Sequence, residues 1–331
     1  MASPMIPPAA APDFLAANGW GGARIDPLAG DASFRRYFRV VGEGRQAVLM
    51  DAPPEHEDVR PFLKISDHLS DHGLRAPRTL ARDVDRGLLL LEDFGDRRVG
   101  PLLAADASRE TEIYAAAIDT LVALGRLPLP DVAPYDHAAL KREVDLLPEW
   151  YAPALDVAVD RPGFDHAWAS AWGGLIDRSS HDPVLVLRDY HADNLMLLDD
   201  GGLGLLDFQD ALAGHRAYDL VSLLQDARRD VSPRLEAVML ERYCDAAQIT
   251  DRDTFIADYQ LLGAQRNSKI LGIFTRLWKR DGKSQYLALQ PRVWGHLERN
   301  LDHPDLAQLR GWFDANFPAA TRASAWAEHS A

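Results

Sequence analysis

The sequence lacks three features, each of which would point to a definite class of protein. It has one cysteine, Cys244, among 331 residues, so an intrachain disulfide and a cysteine-rich zinc site are both excluded. No apolar run approaches the roughly 18 residues that a helix needs to span a bilayer. Basic residues are in deficit, with 36 Lys and Arg against 50 Asp and Glu and a net charge of -14. We therefore expect no nucleic-acid partner and no membrane partner, because both kinds of surface attract a basic face.

The N-terminal segment carries no recognisable targeting signal. MASPMIPPAAAPDF has neither a basic n-region nor a continuous apolar h-region, so we predict no secretory signal and a cytoplasmic location by default. Residues 1–13 are rich in Pro and Ala, and we predict a disordered tail there. The chain shows no long heptad pattern, so a monomer is the default expectation.

The pattern of apolar residues changes near residue 95. Before this point, strand-like segments are punctuated by glycines, and they are Phe34–Val41, Gln46–Met50 and Leu88–Leu91. From about residue 108 onward the pattern is mostly helical, most clearly over 233–247, 254–278 and 285–299. We predict an α+β fold with two lobes. The first is a small, nucleotide-binding β-sheet lobe over 14–95, and the second is a larger, mainly helical lobe over 96–331.

Three short apolar runs interrupt the helical part, and each has an oxygen-bearing side chain at its end. The runs are Val184–Leu187, Leu195–Leu198 and Leu203–Leu206. Asp189, Asn194 and Asp207 lie at their ends. The turn at 199–202 makes the last two runs a predicted hairpin, which brings Asn194 and Asp207 close together, with Asp189 projecting from the loop before them.

These three residue types suit phosphoryl transfer. Amide and carboxylate oxygens are ligands for a hard cation such as Mg²⁺, which leaves coordination sites for phosphate oxygens. A further carboxylate can accept the proton of an attacking hydroxyl. The spacing Asp-x-x-x-x-Asn, with Asp-Phe about a dozen residues later, is that of the kinase phosphoryl-transfer motifs. Turn-forming Asp and Asn residues are the alternative; they account for DDGG at 199–202 but not for the offsets of all three residues.

The motifs resemble those of the protein-kinase-like fold in its aminoglycoside and choline phosphotransferase branch. More narrowly, GDASFRRYFRV at 30–40, VLMDAPP at 48–54 and RDYHADNLM at 188–196 are similar to the anomeric sugar kinases of bacterial cell-wall recycling. Those enzymes use ATP to phosphorylate the anomeric hydroxyl of N-acetylmuramate and N-acetylglucosamine. The resemblance covers nearly the whole chain and implies a bilobal, ATP- and Mg²⁺-dependent sugar kinase.

The resemblance also implies a role for each matching residue. Asp189 would be the catalytic base, and Asn194 and Asp207 would be the Mg²⁺ ligands. Asp219 matches a structural acid that holds the catalytic loop. The remaining residues would contact the nucleotide, either from a turn over the phosphates or from a hinge that meets adenine through backbone groups. They are Gly30, Asp31, Ser33 and Phe34 in the turn, and Glu92, Asp93 and Phe94 in the hinge.

The sequence departs from the kinase pattern where a lysine is expected. Met50 stands at the position of the third-strand lysine that binds phosphates in kinases, and no lysine precedes Lys64. Leu187 replaces the histidine of His-Arg-Asp, and no GxGxxG occurs at the phosphate turn. We predict that Arg35 or Arg36 supports nucleotide binding instead, since a guanidinium is a fork-shaped phosphate donor. A solvated strand face is the alternative interpretation.

The acceptor pocket is expected on the helical pattern at 263–283. Arg266 and Lys269 could meet the lactyl carboxylate of a muramic acid, and Asn267 a sugar hydroxyl; an ordinary basic helix face is the alternative. Two other functions remain open. One is phosphotransfer to an aminoglycoside or an amino alcohol, and the other is a pseudokinase that only binds, which Met50 and Leu187 would suit.

Overall fold

The structure is a computed structural model that describes residues 5–28 and 34–324. The chain divides into two compact units. The first comprises Met1–Ala107 and Asp193–Ala211, and the second comprises Ser108–Ala192 and Leu212–Ala331. Residues 193–211, predicted to belong to the helical lobe, thus cluster with the first unit. The predicted lobe boundary at residue 95 stays a prediction.

In its described residues the first unit is built on a five-stranded antiparallel sheet with strand order β1-β2-β3-β5-β4. Before Ala107 its elements are α1 (Ala11–Ala17), β1 (Arg24–Pro27), β2 (Arg36–Gly42), β3 (Arg45–Asp51), α2 (Arg60–Asp71), β4 (Thr79–Asp83), β5 (Leu88–Glu92) and α3 (Val99–Ala105). The predicted strands around β2, β3 and β5 are confirmed. Phe38 and Val40 of β2 are fully buried in a core that includes Phe14 and Ala11 of α1. Helix α1 therefore begins at Ala11, inside the segment predicted as a tail, because that residue packs in the core.

From residue 108 to residue 324 the chain is mainly helical, with four short strands. Its strands and helices are α4 (Glu110–Leu124), α5 (His137–Val144), α6 (Ala152–Ala154), α7 (Arg161–His181), β6 (Val184–Val186), β7 (Leu195–Leu197), β8 (Leu203–Leu205), β9 (Leu212–Gly214), α8 (Ala217–Leu224), α9 (Pro233–Ala246), α10 (Arg252–Asp281), α11 (Gln290–Leu301), α12 (Ala307–Asn316) and α13 (Ala319–Ser324). Single turns of 3₁₀ helix occur at Ala107–Arg109, Ala192–Asn194 and Pro304–Leu306, a longer one at Ser284–Leu289, and a π-helical turn at Leu147–Tyr151. None of the helices in the described part of the chain is both long and apolar enough to cross a membrane.

The predicted hairpin is present as β7 and β8, which pair antiparallel with Leu195 opposite Leu205. Two isolated bridges tie it to the rest of the first unit, from Gly204 to Arg75 and from Met196 to Arg98. These bridges explain why residues 193–211 cluster with the sheet and not with the helices that precede them along the chain.

In the second unit, the long helix α10 packs against α5, α8 and α11. Its start is capped by the Asp251 side chain, which accepts from the backbone N–H of Thr254, and it ends at Gly282 with a φ of 70°. The left-handed conformation favours glycine at this position. The predicted helices over 233–247 and 254–278 are confirmed. The predicted helix over 285–299 begins instead as a 3₁₀ turn and becomes α11 only at Gln290, where a proline occupies the first turn.

Candidate active site

A cavity of about 550 Å³ lies within the first unit. Its walls are mainly apolar, with Val48, Phe62, Leu91, Met196 and Leu206 among the lining residues. The predicted hinge residues Glu92, Asp93 and Phe94 line it, as do the predicted metal ligands Asn194 and Asp207. An apolar cavity with a few polar groups at defined positions is the usual form of a small-ligand site.

The hairpin register brings the two predicted metal ligands together, as the sequence predicts. The backbone N–H of Leu206 donates to the carbonyl oxygen of Asn194 at 3.0 Å, and the Asn194 side-chain nitrogen lies 3.4 Å from an Asp207 carboxylate oxygen. Asp207 has a φ of 58°, a left-handed conformation that is unusual for a residue with a side chain. Backbone strain of this kind is concentrated at functional sites.

The two candidate arginines, Arg35 just before β2 and Arg36 at its start, have different surroundings. Arg35 is buried, and its Nη2 lies 3.3 Å from Asp207 Oδ1. Arg36 points to the other face, where its Nε donates to Asp51 at 2.7 Å and its Nη1 to the Ile6 carbonyl at 3.3 Å. Strand alternation accounts for the difference, because consecutive side chains leave a strand on opposite faces. Arg35 is therefore the arginine that reaches the predicted metal ligand.

The lysine position and the phosphate turn are described only in part. Met50 is buried and pairs across the sheet with Tyr37 and Leu89. The predicted turn residues Gly30, Asp31 and Ser33 lie outside the described residues. Phe34, the last of the turn, is exposed and stacks on His56 with 4.4 Å between ring centroids.

The predicted hinge is held by an arginine, Arg39, that was not among the predicted site residues. Arg39 binds the Asp93 carboxylate through two nitrogens, at 2.7 and 3.2 Å, and this hydrogen bonding raises the pKa of the guanidinium. Phe94 lies against Gly204 of the hairpin, where a Cβ would come within 2.6 Å of the ring. Glycine is thus required at this close approach between hinge and hairpin.

In the second unit, Asp219 holds the loop that carries Asp189. Its two carboxylate oxygens accept the backbone N–H groups of Leu187 and Arg188, at 2.7 and 2.8 Å. Arg188 has a φ of 72°, so the loop is held in a strained conformation immediately before Asp189. The Tyr190 hydroxyl donates to the Ala117 carbonyl at 2.9 Å and fixes the loop on its other side.

The buried carboxyl of Asp219 should make the stability of the protein depend on pH. Burial raises its pKa to about 7, although the two backbone N–H donors lower it. In the unfolded chain the carboxyl titrates near pH 4, so the folded protein retains a proton that the unfolded chain releases between about pH 4 and 7. The stabilisation linked to this proton is complete below that range and is lost as the pH rises through 7.

The test compares the free energy of unfolding of the wild type with that of Asp219→Asn. We expect the difference, wild type minus variant, to fall by roughly 2 to 4 kcal/mol between pH 4.5 and 7.5. Asparagine does not titrate, so the difference isolates the carboxyl from other groups. Urea unfolding at several pH values measures it. A difference that stays flat or rises with pH would contradict the prediction.

A second carboxylate, Glu143 of α5, accepts hydrogen bonds from several polar side chains around the loop. It accepts from Lys269 Nζ at 2.8 Å, from Arg188 Nη2 at 2.5 Å and from Gln265 Nε2 at 2.9 Å. The Tyr135 hydroxyl also donates to it. Burial raises the pKa of Glu143, but the charges of Lys269 and Arg188 lower it more, to about 2. Glu143 is consequently a fixed negative charge.

Asp189 is surrounded by positive charge. Its burial raises its pKa, but Lys269, Arg266 and other nearby cations lower it by more, so the net pKa lies below the ordinary value. The carboxyl is ionised at neutral pH, as a base must be. A buried carboxylate whose pKa is lowered by specific neighbouring charges is a candidate functional group.

The three residues of α10 predicted to bind the acceptor contact different groups in the structure. Lys269 donates to Glu143 and to the Tyr218 hydroxyl. Asn267 is fully buried and donates to Gln225 Oε1 at 2.9 Å and to Asn300 at 3.1 Å. Arg266 is only 3% exposed and contributes positive charge at Asp189. Since Asn267 serves a buried amide network, the predicted contact with a sugar hydroxyl has no support from its surroundings.

Comparison with known proteins gives consistent matches over most of the chain. Residues 24–255 match the model of the phosphotransferase enzyme family. A protein named N-acetylmuramate/N-acetylglucosamine kinase from Caulobacter vibrioides is 38% identical, with 93% of this chain and 96% of that protein covered. One of the same name from Pseudomonas aeruginosa is 39% identical, with coverage of 94% and 95%.

Solved structures with low identity share the fold. A putative aminoglycoside phosphotransferase from Ralstonia eutropha is 16% identical and has a TM-score of 0.65, with 89% of this chain and 98% of that chain covered. A choline kinase from Streptococcus pneumoniae is 14% identical and has a TM-score of 0.58, with coverage of 86% and 93%. These likenesses confirm the α+β fold that the sequence predicts.

Proposed function

Because this chain belongs to the phosphotransferase enzyme family, we propose that it transfers the γ-phosphoryl group of ATP to the anomeric C1 hydroxyl of N-acetylmuramate and N-acetylglucosamine. The observation that carries phosphoryl transfer is the meeting of Asn194 and Asp207 in a cavity that the hinge also lines. The relatives named as kinases of these two sugars support the acceptor.

The residues at the hairpin fit Mg²⁺. The side-chain oxygen of Asn194 and the carboxylate of Asp207 are hard ligands, and Mg²⁺ in phosphoryl-transfer sites takes few protein ligands and several from phosphate and water. The described residues contain no cluster of three or more His, Cys, Asp or Glu side chains that could hold a metal ion by itself. When bound to the nucleotide, the ion would neutralise negative charge on the phosphate oxygens.

Asp189 is the residue that would accept the proton of the sugar hydroxyl. Its low pKa makes it a weak base in the resting enzyme, so its main contribution is to orient the hydroxyl and to receive the proton as the bond to phosphorus forms. The hydrogen bonds that Asp219 accepts from the backbone N–H groups of Leu187 and Arg188 hold the loop that positions Asp189. Catalysis then depends on positioning and electrostatics, as in phosphoryl transfer generally.

The surroundings of Asp189 favour an anionic or neutral acceptor over a cationic one. Arg266, Lys269 and Arg188 all add positive charge at this carboxylate. Lys269 and Arg188 are paired with Glu143, so the remaining positive charge is that of Arg266, and it disfavours a polycationic aminoglycoside or a quaternary amino alcohol beside Asp189. A pseudokinase would be expected to have lost the base or the metal ligands, and Asp189, Asn194 and Asp207 are all present.

Phosphate transfer from ATP and Mg²⁺ to a panel of acceptors tests the proposal. The panel holds N-acetylmuramate, N-acetylglucosamine, glucose and kanamycin, with the products identified by phosphorus NMR. We expect a sugar 1-phosphate from both N-acetylated sugars. Transfer to kanamycin alone would replace the proposal with an aminoglycoside acceptor. Nucleotide binding without transfer to any acceptor would favour a pseudokinase.

A further inference from the structure

Among the residues that the structure describes, the side chain of one exposed arginine beside the catalytic loop has no carboxylate partner. The Nη1 of Arg228 lies 3.2 Å from Nε2 of His191, and the backbone N–H of His191 donates to the carbonyl oxygen of Asp189 at 3.1 Å. His191 is buried, whereas Arg228 is exposed. In the described ranges, 5–28 and 34–324, no Asp or Glu oxygen lies within 4.0 Å of a side-chain nitrogen of Arg228. The guanidinium therefore reaches the loop through an imidazole nitrogen.

The arginines around it are neutralised. Arg229, the next residue, pairs with Glu110. Arg292 pairs with Asp230 at 2.5 Å, and Arg299 pairs with Glu236 at 3.0 Å. In a chain with a net charge of -14, carboxylates are plentiful. An arginine without one, placed next to the loop of the proposed base, is available for an anion that the protein does not itself supply.

We propose that Arg228 binds the lactyl carboxylate of N-acetylmuramate and so selects this sugar over N-acetylglucosamine; the inference rests on the proposed function. The two acceptors differ in one respect, because N-acetylglucosamine carries a hydroxyl where N-acetylmuramate carries the lactyl ether. A guanidinium binds a carboxylate through two parallel hydrogen bonds and is suited to read that difference.

The other cations near Asp189 are less suited to this task. Lys269 is neutralised by Glu143. Arg266 is almost completely buried, so it offers little surface to a substrate carboxylate. Arg228 is exposed, and His191 orients it by accepting at Nε2. The sequence alone offers no reason to choose Arg228 over its neighbour Arg229; the contact with His191 provides it.

Substitution of Arg228 by glutamine tests the proposal with three acceptors: N-acetylmuramate, its methyl ester and N-acetylglucosamine. We expect kcat/KM for N-acetylmuramate to fall about tenfold or more, as for the loss of a hydrogen bond to a charged group. For the ester and for N-acetylglucosamine, kcat/KM should stay within about twofold, because neither carries the carboxylate. Arg228→Lys should retain part of the preference, since it keeps the charge but not the fork.

Arg242→Gln is the matched control, because it removes the same charge from a surface arginine that pairs with Asp119. This variant should leave the ratio of kcat/KM for N-acetylmuramate to kcat/KM for N-acetylglucosamine unchanged. An equal loss on all three acceptors would overturn the proposal and indicate that Arg228 acts on the transferred phosphoryl group or on the loop. An unchanged kcat/KM for N-acetylmuramate would also overturn it. Failure of the proposed function would look different, since the wild type would then phosphorylate neither sugar.

Discussion

Replacing Asp189 by asparagine is expected to lower kcat for sugar phosphorylation by roughly a thousandfold, because general-base catalysis typically contributes 10²–10⁴. Asparagine has nearly the same shape and can still contact the acceptor hydroxyl, but it cannot take its proton. The replacement also removes one of the negative charges near Lys269 and Arg266. A coupled assay of ADP release at saturating ATP and sugar measures the effect.

Two measurements separate this result from misfolding. ATP affinity should stay within about threefold of the wild type, because the cavity lined by the hinge and by Asp207 does not include Asp189. Asp199→Asn is the matched control: the carboxylate is fully exposed and pairs with Arg97 at 2.7 Å, so kcat should not change. A variant that retains more than a tenth of the wild-type kcat would remove Asp189 from the role of base.

Replacing Arg35 by methionine is expected to lower kcat/KM for ATP by roughly 30- to 100-fold, the range for losing hydrogen bonds to a charged group. Arg35 lies beside the Asp207 carboxylate, where the phosphates of a bound nucleotide would be. It would supply the positive charge that the lysine of other kinases supplies, since Met50 cannot. Steady-state kinetics with varied ATP and a calorimetric Kd for ATP with Mg²⁺ measure the change.

Arg36→Met is the control, because Arg36 is the adjacent residue and its side chain lies on the opposite face of the sheet. Arg36 is bonded to Asp51 on the opposite face, so the KM for ATP should change less than about threefold. The variant leaves a buried carboxylate unpaired and should therefore lower the Tm. Equal losses of ATP affinity in the two variants, or a larger loss in Arg36→Met, would contradict the assignment of Arg35.

The motif-bearing hairpin could be predicted from the sequence because its signals are local. The apolar runs around the turn at 199–202 fix the pairing of β7 and β8, and that register alone places Asn194 next to Asp207. The kinase-like fold followed from the same motifs. Strand alternation separates Arg35 from Arg36, and it also places Arg39 on the cavity face, a signal that could have identified the brace on Asp93.

Other features depend on contacts between distant parts of the chain and leave no local signal. Strand β9 is three residues long and exists because Leu212–Gly214 pairs with β6. Glu143 is one of many acidic residues in helical segments, and nothing in its neighbours along the chain indicates that it binds Arg188 and Lys269. The commitment of Asn267 to Gln225 and Asn300 is of the same kind, since the basic pattern of 263–283 suggested a different role.

The cluster at Glu143 has a consequence for how relatives of this enzyme can diverge. One buried carboxylate serves Lys269, Arg188, Gln265 and Tyr135. Loss of the acid alone would leave a buried ammonium free to pair with Asp189, and loss of the lysine alone would leave the acid undercompensated. A variant with only one of these two substitutions is expected to be poorly active. Positions 143 and 269 are therefore expected to change together or not at all. Drift at these two sites should be correlated across a lineage, whereas the exposed faces of α5 and α10 remain free to vary independently.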